Sequence, residues 1–302
     1  MTNSTEHFNQ KIKSGEISLT QSPCLCGLET DVGLFEHERF GFIHKTVICK
    51  FCGLIRNNPR PSEDFYSEFY QNDDYRLLHE GKHFREKALR RFKNSTFIFD
   101  KIEQLRLLQD IDHVFEFGCG AGWNLSKFAI AEKNVVGLEA NATLVELGQE
   151  KGLDVQVGSF VDLDKIENPV DLLILNHVLE HFHDPVDKLK RLRAMVRADG
   201  YIYIGVPNLD NFHFGQFQIA HLYYFSSRVF LAYMETLNLE LIDKGKDAIH
   251  QYAIFRVPKD FENKKNFLEP PKLEFFRLLA KYYIYKALAK ASRLKTFLKR
   301  FR

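Results

Sequence analysis

The segment Glu116-Phe117-Gly118-Cys119-Gly120-Ala121-Gly122 sets three glycines at alternate positions, two residues behind an acid, where the apolar run Val114-Phe115 has just ended. Glycines so placed make chemical sense where a ligand must approach the backbone, because they lack the Cβ that would hold it away. The spacing is G-x-G-x-G, since position 123 is Trp. A dinucleotide loop prefers G-x-G-x-x-G, so that a helix N-terminus meets the pyrophosphate. A carboxylate such as Glu116 in front of the loop would repel phosphates and welcome a cation. A second acid, Glu139, closes the run Asn134-Val135-Val136-Gly137-Leu138. An acid at the end of such a strand can accept both hydroxyls of a ribose.

Two histidine segments offer proton chemistry. Asn176-His177-Val178-Leu179-Glu180-His181-Phe182-His183 follows the apolar run Val170 to Leu175, and His221 opens His221-Leu222-Tyr223-Tyr224-Phe225-Ser226. An imidazole titrating near neutrality can take the proton of a hydroxyl. His221 is the first candidate for that base, with His177 and His181 behind it; the competing reading is a structural histidine bonded to a loop carbonyl. Three histidines in seven residues also raise a metal, but one loop rarely supplies the open three-ligand geometry of a catalytic zinc. Glu180 and His181 therefore read as a helix turn and a pocket wall. Four thiols form a third group: Cys24-Leu25-Cys26-Gly27 and Cys49-Lys50-Phe51-Cys52-Gly53. Two cysteine pairs, each followed by glycine, can aim four thiolates at one structural zinc, although the first is shortened to C-x-C. The alternative is a metal-free hairpin with reduced, buried cysteines. His37 and His44, between the pairs, read as hairpin surface residues.

The elements that must position these groups alternate strand and helix. Continuous apolar runs at Val114–Phe117, Val170–Leu175 and Tyr201–Val206 suit buried parallel strands, with further strands at Asn134–Glu139 and Asp154–Val157. Asn124–Lys133 and Lys188–Val196 read as intervening helices, the second stopped by Asp199-Gly200. Leu239–Asp243 and Gln251–Val257 complete the strands. Residues 211–220, rich in Phe, Gln and Gly without helical period, read as an insertion lining a substrate pocket. Pro59 and Pro61 end any strand after the second cysteine pair and start a linker. Ser62-Glu63-Asp64 then begins a helix, and Asp73 to Arg76 falls in a polar loop. The division is an N-terminal extension (1–20), a cysteine module (21–61), an α/β domain (62–258) and a tail (259–302).

Composition limits the partners. The chain of 302 residues is 45% hydrophobic and 27% charged, with a net charge of +2. Residues 272–302 hold ten Lys/Arg against the single acid Glu274, a net +9 that leaves −7 on the rest. An acidic body argues against nucleic acid as a partner. Beyond Pro270-Pro271, Phe276, Ala280, Tyr283, Ala287, Ala291, Leu294, Leu298 and Phe301 recur every three or four residues among the cations. That stripe suits a helix on an anionic membrane surface; the alternative is a helix docked on its own domain or on a partner subunit. No apolar stretch at the N-terminus suggests a leader, and no run approaches a membrane span. The expected location is cytoplasmic, with peripheral membrane contact through the tail.

Residues 20–257 resemble the class I S-adenosylmethionine-dependent methyltransferases, on the E-x-G-x-G-x-G loop and the acid that ends the next strand. The resemblance implies a Rossmann-like, seven-stranded, mostly parallel sheet with an antiparallel edge. It implies that Glu116, Gly118, Gly120 and Gly122 hold the amino acid part of S-adenosylmethionine and that Glu139 holds its ribose. Asn176 and His177 would then lie near the methyl donor. The region of Tyr75 and Arg76 would fold over the cofactor, where a Tyr-Arg pair often touches its carboxylate. Ser159 stands where the family usually has an acid, leaving the amide of Phe160 and the carboxylate of Asp162 for the adenine. The H-V-L-E-H segment is similar to that of one large subgroup, and H-x-x-x-F-S from His221 resembles sugar methyltransferases. Ile219 and Ala220 replace the Tyr and Glu of the sugar C-methylating type, which favours O-methylation. The expected acceptor is a sugar, a nucleotide sugar or a glycan. A small-molecule, quinone or lipid methyltransferase and a non-catalytic cofactor- or zinc-binding scaffold are the rivals.

Overall fold

The run from Val170 to Leu175 is buried at every position, including Asp171, which accepts the backbone N–H groups of Asp112 and His113 at 2.8 Å each and pairs with Arg197. It lies at the centre of an α/β architecture. A computed structural model describes residues 2–71, 73–166, 169–259 and 273–299. Its strands, in chain order, are β1 (Leu19–Thr20), β2 (Asp31–His37), β3 (Ile43–Cys49), β4 (Ile55–Asn57), β5 (Arg60–Pro61), β6 (His113–Phe117), β7 (Asn134–Glu139), β8 (Val155–Val157), β9 (Val170–Asn176), β10 (Val196–Pro207), β11 (Tyr223–Tyr224), β12 (Glu240–Lys246) and β13 (His250–Arg256).

The main sheet has seven strands in the order β12-β13-β10-β9-β6-β7-β8. The five strands from β8 to β10 pair in parallel, and β13 runs antiparallel to both β10 and β12. Side chains alternate between two buried faces, as the period of a strand requires. Phe115, Leu173, Leu175, Ile202 and Ile204 belong to one core, and Val114, Leu172, Ile174, Tyr201 and Tyr203 to the other. Each fully buried aliphatic side chain contributes about 1.5–3 kcal/mol. The strand order reverses between β6 and β9, and a crevice outside the carboxyl ends of the strands is expected at that point.

A second sheet, β11-β4-β3-β2, is antiparallel throughout. Its fourth strand comes from the His221 segment: Tyr223 pairs with Arg56 and Tyr224 with Ile55. β4 ends before Pro59, as expected, whereas Arg60–Pro61, expected to open a linker, is strand and pairs with Leu19–Thr20. Pro61 fits there because an edge position needs no further N–H donor. Residues 211–220 differ from expectation too. They carry a short 3₁₀ turn at Phe214–Gln216, and Phe212 and Phe217 are buried against Tyr224 and Tyr282, so much of the segment is core and not pocket lining. β10 starts at Val196 and runs through Asp199-Gly200 with an irregularity before Tyr201, where a stop was expected.

The last helix, Glu274–Lys299, runs through the expected Ala291, Leu294 and Leu298 and docks one face, Leu278 and Tyr282, against the small sheet. Pro270, Pro271, Lys272 and Phe301 lie outside the described residues. Among the described residues no helix is long and apolar enough to cross a membrane.

Candidate functional site

β6 delivers Glu116 and the glycine loop to the switch point. Gly118, Gly120 and Gly122 all adopt positive φ, at 68°, 60° and 76°. A Cβ on Gly118 would lie 2.7 Å from Val178 Cγ2, so the loop can pass under the β9 exit only as glycine. Glu116 is 1% exposed; Oε1 accepts from Asn124 Nδ2 at 2.7 Å, while Oε2 is buried with no partner. Burial pushes its carboxyl up to about 8, the Asn124 hydrogen bond opposing and nearby Glu139 adding to the rise. Glu139, at the end of β7, accepts the N–H of Gly120 at 2.9 Å and that of Asn141 at 3.0 Å. The loop and the strand acid are thus one hydrogen-bonded unit.

A helix, Asp74–Glu80, closes over this end, where a loop was expected. It brings Arg76 Nη2 to 4.0 Å from Glu139 Oε2 and to 3.1 Å, through Nη1, from Glu80. Burial works against the Arg76 charge, but Glu139, Tyr75 and Glu80 hold its pKa above the ordinary value. Tyr75 is directed to the histidine segment, its ring centroid 6.0 Å from that of His181. At the end of β8, Phe160 packs edge-on to Phe117 and Phe182. Asp162 accepts from the backbone of its own turn, Ser159 N, at 2.8 Å and pairs with Lys165, which lowers its pKa. Those contacts are the ordinary ones of a turn residue.

The β9 exit supplies the other half. Asn176 ends the strand, and His177 follows with a positive φ of 58°, a sparsely populated conformation for a residue with a Cβ, its N–H held by Gly205 O at 2.8 Å. Glu180, read from sequence as part of a wall, is wholly buried and gathers the imidazoles: its Oε1 is 3.3 Å from His177 Nδ1 and 3.9 Å from Nε2 of both His181 and His221. His181 Nδ1 donates to Ala220 O at 2.7 Å and lies 2.8 Å from Tyr70 Oη. Burial lowers the His181 pKa. Glu180, His181 and His221 have ligand atoms within 4.8 Å of one another, but the side-chain amide nitrogen of Gln218 sits against His221 Nε2. His177 is within hydrogen-bond reach of Glu180, and His181 and His221 face the same carboxyl oxygen across 3.9 Å. His221 comes from a different segment, so only the fold could assemble it.

The small sheet holds that segment in place. Asn57 Nδ2 donates to His221 O at 2.7 Å, Asn57 N to Leu222 O at 3.0 Å, and Tyr66 Oη to Ile219 O at 2.8 Å. In the same module Cys24, Cys26, Cys49 and Cys52 are all buried and unbridged, their sulfurs within 4.8 Å of one another. Hydrogen bonding from Cys24 lowers the pKa of Cys26, to about 7, and that of Cys49. Four reduced, buried sulfurs converging in this way fit a tetrahedral zinc, while the same contacts push the Cys24 and Cys52 thiols up. His44 is buried beside Thr46 at 3.2 Å, and not a surface residue. Burial holds its pKa down at about 4, so it stays neutral. A cavity of about 1030 Å³ lies away from the glycine loop, between β2 and the last helix.

A family model described as a methyltransferase domain matches residues 82–244, more than half of the chain. The chain belongs to that methyltransferase-domain family. Among its relatives, an uncharacterized methyltransferase of Oceanobacillus iheyensis is 27% identical over 99 residues, 31% of this chain and 46% of that protein. A probable S-adenosylmethionine-dependent methyltransferase of Mycolicibacterium smegmatis is 26% identical over 105 residues, 34% of this chain and 41% of that protein. The chain spans less than half the length of these two relatives. Among solved structures, magnesium protoporphyrin IX methyltransferase from Synechocystis, with bound SAH, aligns with a TM-score of 0.49 and 13% identity, covering 65% of this chain and 100% of that one.

Proposed function

We propose that the chain binds S-adenosylmethionine at the glycine loop and methylates a hydroxyl of a sugar, nucleotide sugar or glycan. The observation that carries the donor half is the Gly120–Glu139 hydrogen bond at the strand-order reversal, with Glu116 Oε2 close by, buried and unpartnered. A buried carboxylate oxygen without a donor fits a cofactor that brings an ammonium and a sulfonium but no phosphate. Bound there, the cofactor supplies an electrophilic methyl group. Glu116, Gly118, Gly120 and Gly122 would hold its amino acid part, Glu139 its ribose, and Phe160 and Asp162 would border the adenine. Asn176 and His177 would face the methyl donor, with Tyr75 and Arg76 as the cover. For Glu139 to take the ribose hydroxyls, the Arg76 contact has to yield.

The imidazole cluster beside the donor site supports a hydroxyl acceptor, since a hydroxyl becomes a competent nucleophile as its proton leaves. His221 is the proposed base, with His177 and His181 next to it around Glu180. Most of the acceleration then comes from holding donor and acceptor in line. The sugar assignment rests on the His221–Ser226 segment and on the cluster. A small-molecule, quinone or lipid acceptor gives the runner-up reading, and a cofactor- or zinc-binding scaffold without catalysis the last. An acceptor screen with labelled S-adenosylmethionine tests it: transfer to a glycan or nucleotide-sugar hydroxyl, abolished in His221→Ala, is the expected result. Transfer only to small aromatic, quinone or lipid acceptors would replace the sugar assignment.

A further inference from the structure

The helix Glu274–Lys299 carries two apolar faces, and one of them is covered. Phe275, Leu278, Leu279, Tyr282 and Tyr285 pack with Leu34, Ile48, Ile55 and Phe217, and Tyr282 Oη donates to Leu34 O at 2.6 Å. The start of the helix is fixed as well. Arg277 clasps the buried Glu274 and reaches Asp210 Oδ1 at 2.8 Å, and a Cβ on Gly53 would lie 3.0 Å from the backbone nitrogen of Phe275. The helix is therefore held to the protein along one side.

With about 3.6 residues per turn, Phe276, Ala280, Tyr283, Ile284, Ala287 and Leu288 fall on the side away from that seam. Phe276 is 65% exposed, Tyr283 59%, Ile284 60% and Leu288 66%. Scattered exposed apolar residues need no explanation, but large ones aligned in one strip mark an interaction surface. Two exposed cations, Lys286 and Lys290, flank the strip on the β2 side, Lys286 with its Nζ 5.1 Å from the Tyr282 ring centroid, while Arg277 and Lys281 are engaged at Asp210. The acid on this stretch, Glu274, is buried. Two copies meeting through the strip would bring cations against cations with no exposed acid between them, which disfavours a second chain as the occupant.

We propose that this outer face docks on an anionic lipid surface. The helix lies flat, its strip entering the boundary between headgroups and acyl chains while the exposed Lys286 and Lys290 reach out to lipid phosphates. Because the opposite side is packed on the small sheet, docking would set the orientation of the whole protein on the membrane. The inference is independent of the methyltransferase reading.

Sedimentation of the full chain with vesicles tests it. The expected result is binding to phosphatidylcholine vesicles containing phosphatidylglycerol, weak binding to phosphatidylcholine alone, and weakening with salt. Ile284→Glu with Leu288→Glu, at exposed positions, is expected to lower the partition roughly tenfold or more with an unchanged melting temperature, and Lys286→Glu with Lys290→Glu to lower it by a similar factor. Wild-type protein that stays in solution with the anionic vesicles, or either double variant binding as wild type does, would overturn the proposal. So would a wild-type dimer that Ile284→Glu with Leu288→Glu dissociates, since the strip would then belong to a second copy.

Discussion

At the residue scale, Glu116 and Glu139 divide two tasks. Glu139 accepts two backbone N–H groups, so Glu139→Ala removes the proposed ribose ligand and also releases the Gly120 amide. It is expected to weaken S-adenosylhomocysteine binding by roughly a hundredfold, on the order of 3 kcal/mol, read by calorimetry. Glu116 makes a pH prediction. Its carboxyl is raised from 4.5 to about 8 by burial. Between those values the folded chain keeps a proton that the unfolded chain has lost, so this group's contribution to stability falls as pH rises and levels off above about 8. Glu116→Gln should therefore gain stability over wild type with rising pH across that window, by up to a few kcal/mol, in denaturant titrations. An equal difference at pH 5 and pH 8 would contradict it. These two acids were legible because each stands at a strand end beside its own motif. The meaning of Glu180 was not, since its partner His221 arrives from a distant segment.

At the element scale, β11 joins the cysteine module to the histidine segment. Asn57→Ala leaves the carbonyl of His221 without its buried donor and should cost about 1–3 kcal/mol of stability, and shift activity through the position of His221. The comparison that separates the two effects is methyl transfer against cofactor binding, because only transfer depends on the His221 loop. Zinc removal should act along the same route. One zinc per chain is expected by elemental analysis, and its loss in Cys49→Ser should lower both the melting temperature and transfer. Full transfer activity in zinc-free protein would contradict that coupling. Proline reads locally as a breaker, so the sequence suggested a linker where β5 stands; its partner is β1, about 40 residues earlier, and that pairing leaves no local trace. The helix Asp74–Glu80 was missed for a related reason: its Arg76 is stabilised by Glu139, a contact across the fold.

At the scale of the whole molecule, the α/β order of the sheet was readable because its buried strands are continuous apolar runs separated by turn residues. The small sheet, the covering helix and the docked face of the last helix depend on contacts between segments far apart in sequence. The central claim is that the glycine loop and its two acids form a donor site for a cationic, phosphate-free cofactor. Calorimetric titration of the full chain with S-adenosylhomocysteine, and in parallel with NAD, tests this most directly. Saturable one-to-one binding of S-adenosylhomocysteine, weakened roughly a hundredfold in Glu139→Ala, is expected, with no binding of NAD. Tight NAD binding with none of S-adenosylhomocysteine would contradict it.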